Sequence, residues 1–190
     1  MSDKNDIDII DEVLNGNVDS FAGITKKYHN RVFRFVYSKV GDFEEAIDVT
    51  QEIFVITFEA LKSFRKESKF STWLYSIMVN YCKNYKKRRE RFNHVSISRD
   101  DGSNSIELLL SDERNDHVEN IISNDSLRIV KEELNKLPEV YKEILLLRDI
   151  NGLSYNDISS VLNVSITNVK VRIHRGRKLL TNRLEKRGLI

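Results

Sequence analysis

Residues 154–176, SYNDISSVLNVSITNVKVRIHRG, decide the fold of the C-terminal part of the chain. Ser154 and Asp157 have the spacing of a capping box, in which a hydroxyl and an acid three residues on satisfy free amides reciprocally. A short helix is therefore expected over Tyr155–Leu162, with Ile158, Val161 and Leu162 inward. Asn163 follows where a tight turn between helices demands positive φ, and after glycine asparagine tolerates it best. Val164 turns inward and Ser165 caps the next helix. Ile166, Val169, Ile173 and Leu180 then recur at three-, four- and seven-residue steps as a buried stripe. The pattern is a helix-turn-helix.

The residues left outside are Thr167, Asn168, Lys170, Val171, Arg172, His174, Arg175 and Lys178, and no acid occurs between Asp157 and Glu185. A helix needing only solubility usually mixes signs, so the pattern favours a polyanion as partner. In a helix-turn-helix the second helix enters the major groove with its first turns on base edges, and flanking cations hold phosphates. Ser165, Thr167 and Asn168 start that helix. Lys170, Val171 and His174 are the base-edge candidates, with Val171 suited to a thymine methyl, and Arg172, Arg175 and Lys178 are the phosphate candidates. A solvated basic helix on a small bundle is the plainer alternative.

The 190-residue chain has a net charge of only +2, but the charge is unevenly spread. Lys62–Arg91 holds ten basic and two acidic residues, Phe92–Asp125 two basic and eight acidic, and Leu162–Ile190 eight basic and one acidic. Two cationic poles flank an anionic connector. The connector lacks a sustained period and is rich in Asp, Ser and Asn, as an extended linker would be. With one proline, seven glycines and no strand pattern, the chain reads as all-α. Two small helical domains are expected, residues 1–91 and 126–190, joined by the acidic linker 92–125.

Composition also excludes classes. The single cysteine, Cys82, rules out an internal disulfide and any multi-cysteine metal site. His29, His94, His117 and His174 are scattered and no Gly-rich phosphate loop occurs, so neither a metal, a cofactor nor an enzyme is expected. The acidic start MSDKNDIDII is no signal peptide and no stretch is apolar enough to span a membrane, which points to a cytoplasmic protein without membrane insertion.

In the first half, Phe21, Ile24, Tyr28, Val32, Val36 and Val40 mark one amphipathic helix ended by Gly41. Asp42 and Glu45 start a second, in which Ala46, Ile53, Phe54, Phe58 and Leu61 share a face. It is nearly free of basic residues and presents Asp48, Gln51, Glu52 and Phe54 together, a set better suited to a protein groove than to nucleic acid. A third helix starts near Ser71 or Thr72 and buries Leu74, Ile77, Met78, Tyr81 and Tyr85. Its second stripe, Trp73, Ser76, Asn80, Lys83 and Lys87, puts an aromatic ring, a hydroxyl, an amide and lysines on one line, the surface that single-stranded DNA binds. The preceding loop adds Arg65, Lys66 and Lys69, with Phe64, Phe70, Ser68 and Ser71 suited to gripping an extruded base. A core role for Trp73 is the competing reading.

With these residues in place, the chain resembles the bacterial sigma factors of the extracytoplasmic-function (ECF) group over nearly its whole length. AIDVTQEIFVITFEALKSFRKESKFSTWLYSIMVN, residues 46–80, is similar to the second conserved region, Asp-x-x-Gln-x-x-Phe followed by Thr-Trp-Leu-Tyr-x-Ile-x-x-Asn. The matching positions are Asp48, Gln51, Phe54, Thr72, Trp73, Leu74, Tyr75, Ile77 and Asn80. LPEVYKEILLLRDINGLSYNDISSVLNVSITNVKVRIHRGRKLL, residues 137–180, resembles the fourth region, with Asn163 where the family most often has glycine.

The resemblance implies a region 2 bundle and a region 4 helix-turn-helix domain, and a role in promoter-specific initiation with RNA polymerase core. Asp48, Gln51, Glu52 and Phe54 would dock on the β′ clamp helices, and the β flap is a further implied contact. The loop Ser63–Ser71, Asn80 and the Trp73 stripe would read and open the minus-10 element; the helix after Ser165 would read the minus-35 element in duplex DNA. The family also implies an anti-sigma partner. The rival is a dimeric helix-turn-helix regulator on a palindromic operator, which accounts for 154–180 and leaves the Trp73 stripe without a use.

Overall fold

The computed structural model describes residues 5–93 and 124–190, so most of the expected linker 92–125 lies outside the described residues. The chain divides into two compact units, and no strand occurs among the described residues.

The N-terminal unit contains four helices: α1 (Asp6–Leu14), α2 (Phe21–Val40), α3 (Phe43–Glu59) and α4 (Phe70–Asn93). Helix α2 touches the other three. From Val32 to Tyr37 every one of its residues is buried, the pattern of a helix surrounded rather than laid on a surface. That is a wider burial than the single stripe read from periodicity. Gly41 ends α2 in the left-handed region (φ 84°), donating its amide to the Tyr37 carbonyl at 2.9 Å. Asp42 Oδ1 then accepts the Glu45 amide at 2.9 Å and starts α3. Helix α1, which the periodic reading did not include, buries Ile9, Ile10 and Val13. Asp6 fastens it to α2, accepting from the Tyr28 hydroxyl and from Lys27 Nζ at 2.6 Å each.

The C-terminal part of the chain, residues 124–190, contains α5 (Asn124–Asn135), α6 (Glu139–Leu145), α7 (Tyr155–Leu162) and α8 (Ile166–Lys186). Pro138 separates α5 from α6. Beyond α6 the chain widens into a π turn at Leu146–Ile150, closed by the Asn151 amide on the Leu146 carbonyl at 2.9 Å, and Gly152 (φ 71°) reverses it. Ile144, Leu147, Ile158, Val169 and Ile173, all almost wholly buried, form the core. Gly176 is buried where α8 crosses α6: a Cβ there would stand 3.3 Å from Leu145 Cγ and from Tyr141 Cβ.

Glu133 of α5 is the electrostatic tie to α8. Its nearly buried carboxylate meets Lys136 at 2.7 Å, Arg183 at 3.2 Å and Arg187 at 3.2 Å. Lys136 first, then the two arginines, hold the Glu133 carboxyl below its usual range. A carboxyl with a lower pKa folded than unfolded stabilises above its unfolded value, about 4.3, and loses that contribution as pH falls through the folded value. The C-terminal unit is expected to lose stability below about pH 4.3, and Glu133→Gln to flatten that acid limb, as measured by thermal melts against pH.

Candidate nucleic-acid interface

The helix-turn-helix forms from local chemistry. The Ser154 hydroxyl donates to Asp157 Oδ2 at 2.5 Å, while the Asp157 amide donates back to Ser154 Oγ at 3.1 Å. Asn163 sits at φ 52°. The turn is closed by the Ser159 hydroxyl on the Val164 carbonyl at 2.5 Å, and Ser165 accepts the Asn168 amide at 3.2 Å. Along α8, Ser165, Thr167, Lys170, Val171, His174, Arg175 and Lys178 are exposed, with Asn168 and Arg172 half-buried. The expected outer face is therefore the actual one.

The expected inner stripe needs two corrections: Leu180 is only half-buried, and Ile166 lies outside the core. Ile166 is 42% exposed, because side chains tilt toward the helix N-terminus and the first residue overhangs the end of the helix rather than the core. Gly176 and Leu184 complete the stripe instead. Ile166 thereby joins Val171, 41% exposed, as a second apolar side chain near the start of the outer face. Arg177 stands outside the cationic set: it forks onto Asp149 of the π turn at 2.5 and 3.3 Å, and that contact raises its pKa.

On α4, Asn80, Lys83 and Lys87 are exposed, and Trp73 and Ser76 are half-buried, with the Ser76 hydroxyl turned back to the Thr72 carbonyl at 2.9 Å. Phe64 and Phe70 do not belong to the gripping surface expected of them. Both are buried, their rings meeting edge-on at 5.6 Å, and Trp73 lies over them at 5.2 and 5.7 Å. Three large rings reward mutual burial more than exposure in a polar loop. They anchor the two ends of the segment, leaving Arg65, Lys66, Ser68 and Lys69 exposed between them and Ser71 half-buried. Lys66 has φ 58°, a conformation that costs a non-glycine residue about 1–2 kcal/mol, and its Nζ reaches Asp11 Oδ1 of α1 at 2.5 Å.

The acidic face of α3 is corrected in the same way. Asp48, Gln51 and Glu52 are exposed, but Phe54 is 6% exposed and its ring stacks on His29 at 6.3 Å. Val55, 56% exposed, takes its place, since residues 48, 51, 52 and 55 follow the three- and four-residue steps of one helix face. The Tyr81 hydroxyl of α4 donates to Glu52, and Arg89 pairs with Glu45 at 2.7 Å. Burial first, then a hydrogen bond to Glu45, pushes the Tyr85 hydroxyl up to about 12. Among the described residues no cluster could hold a metal, and no helix is long and apolar enough to cross a membrane.

Residues 24–92 match the family model described as Sigma-70 region 2, and residues 127–180 that of Sigma-70, region 4. The ECF RNA polymerase sigma factor SigW of Bacillus subtilis is 30% identical over 177 residues, 92% of this chain and 94% of that protein. The ECF RNA polymerase sigma-E factor of Haemophilus influenzae is 32% identical over 180 residues, 93% of this chain and 94% of that protein. The chain belongs to the ECF sigma factors. A solved structure supports the fold: the sigma factor RpoE in complex with the anti-sigma factor NepR from Bartonella quintana, at 24% identity, has a TM-score of 0.67 over 85% of this chain and 96% of that one. In this sigma factor the region 2 match begins inside α2, so α1 lies outside it.

Proposed function

We propose that this sigma factor binds RNA polymerase core and directs initiation at promoters with spaced minus-35 and minus-10 elements, acting without a catalytic site of its own. The observation that carries the reading is that two separate helical units each expose a cationic helix face, on α4 and α8, while α3 exposes an acidic and apolar one. The α3 face Asp48, Gln51, Glu52 and Val55 docks on the β′ clamp helices, and the C-terminal unit meets the β flap. Arg65, Lys66, Ser68, Lys69, Asn80 and Lys83 work on the opened minus-10 strand. In duplex minus-35 DNA, Ile166, Lys170, Val171 and His174 meet base edges, while Arg172, Arg175 and Lys178 hold phosphates. The cytoplasm, where the polymerase works, is the proposed compartment, and an anti-sigma factor is a further partner class.

Run-off transcription with purified core enzyme and a genomic promoter library tests the reading. Core-dependent transcripts are expected; their absence, with tight binding to a duplex palindrome by the free protein, would establish a dimeric regulator instead. On a promoter so identified, Lys170→Ala should weaken minus-35 duplex recognition by about 1–3 kcal/mol, the worth of one base contact. Asn80→Ala should leave duplex binding intact and slow strand opening, read by permanganate reactivity at the minus-10 thymines. If both substitutions only lower the melting temperature, the site assignment fails.

A further inference from the structure

The loop between the buried rings of Phe64 and Phe70 contains one residue whose backbone the local sequence does not explain. Left-handed conformations fall to glycine, and after it to asparagine and aspartate, which is how Asn163 turns the helix-turn-helix. Lys66 occupies the same region at φ 58° with a long aliphatic side chain that gains nothing from it locally. A strained residue persists only where the surroundings hold it. The contact across from Lys66 is Asp11, 55 residues earlier, whose Oδ1 receives Lys66 Nζ at 2.5 Å. Asp11 is well placed to act as a fixed post. It lies on α1, which is seated on α2 through Ile9, Ile10 and the Asp6–Tyr28 hydrogen bond, and which also contacts the turn Ala60–Ser63 just ahead of the loop.

We propose that Asp11 is a positioning residue for minus-10 recognition: from α1, it holds Lys66 in the left-handed conformation and thereby sets how Arg65, Ser68 and Lys69 are presented to an unpaired base. Asp11 itself touches no DNA. The pair is half-exposed at both ends, so it biases a loop rather than building one. Losing it lets the backbone at position 66 relax to the right-handed or extended region and turns the following residues away from their shared direction. The consequence is a loss of selectivity more than of affinity, because the cations remain and phosphate attraction does not depend on base identity. Helix α1 thus becomes part of the promoter-reading apparatus although it makes no contact with the promoter.

The inference rests on the proposed reading of the minus-10 strand by this loop, and the experiment separates the two. Full-length protein is assembled with core polymerase and titrated with fluorescent single-stranded oligonucleotides. These are taken from a promoter that supports run-off transcription and differ at one minus-10 position. The readout is the ratio of affinities for the best and the substituted base. Asp11→Ala should lower that ratio about three-fold and Asp11→Lys, which repels Lys66, more, with core affinity and melting temperature unchanged. The exchanged pair Asp11→Lys with Lys66→Asp should restore the ratio even though overall affinity falls, since aspartate tolerates positive φ and the ion pair is re-formed. An unchanged ratio in Asp11→Lys, while Asn80→Ala and Arg65→Ala lower it, overturns the role of Asp11 alone. A ratio untouched by any of these substitutions overturns the minus-10 reading as well.

Discussion

Asp48→Arg is expected to weaken binding to core RNA polymerase by roughly 30-fold or more, about 2 kcal/mol, the level at which an interface residue counts as a hot spot. Asp48 is exposed on α3, so its replacement should change folding stability by no more than about 0.5 kcal/mol. The effect is large because the surface around it is pre-shaped. Tyr81 holds Glu52, Arg89 holds Glu45, and Val55 supplies an apolar centre on the same face. Carboxylates fixed before binding lose little further freedom when a partner arrives. An arginine in their midst would draw Glu52 away and reverse the charge at the centre of the acidic face. Fluorescence anisotropy of labelled protein titrated with core enzyme measures this directly. Unchanged affinity with an unchanged melt would remove the α3 face from the polymerase contact. Phe54→Ala makes the contrast: its ring is buried against His29, so it should lower stability by about 3–5 kcal/mol and affect core binding only through folding.

Phe54 also illustrates which parts of this protein were legible in its sequence. Caps and turns were, because their chemistry is local: Ser154 with Asp157, Asn163, Ser165, and Asp42 after Gly41 each act within four residues, and each does so in the structure. The outer face of α8 was legible for a related reason, since a row of like charges without acidic partners stays in water. Aromatic residues carry no such instruction. Phe54, Phe64 and Phe70 suit an interface as well as a core, and what meets them is His29 on another helix for Phe54, Trp73 across a loop for Phe64, and Tyr28 of α2 for Phe70, neighbours that periodicity does not reveal. Helix α1 escaped because nine residues with Ile9, Ile10 and Val13 make a short pattern whose meaning comes from α2. Ile166 was misplaced because a stripe extrapolates through a helix end where the core stops. The left-handed Lys66 had no signal at all, being fixed from Asp11 on a different element.

Ile158→Ala should do more damage than any change on the DNA-facing surface. Ile158 is wholly buried in α7, the first helix of the helix-turn-helix. Truncating such a side chain costs about 2–5 kcal/mol, from lost burial and the cavity left behind. A unit the size of residues 124–190 commands only about 3–10 kcal/mol in total, so the substitution removes a large part of it. Each 1 kcal/mol is worth about 4–8 °C in a domain of this size, and the C-terminal transition in calorimetry should fall by at least about 10 °C. The N-terminal unit has its own core in α1–α4, so its transition should hold, as should capture of a single-stranded minus-10 oligonucleotide by the assembled holoenzyme. Transcription that depends on the minus-35 element should fail at temperatures where the N-terminal functions persist. Val171→Ala, at a 41% exposed position on the outer face, should leave both transitions in place and alter only which minus-35 sequences are used. A joint fall of both transitions in Ile158→Ala would mean that the units unfold cooperatively. Separate behaviour makes α7 a support for reading one promoter element and irrelevant to the other.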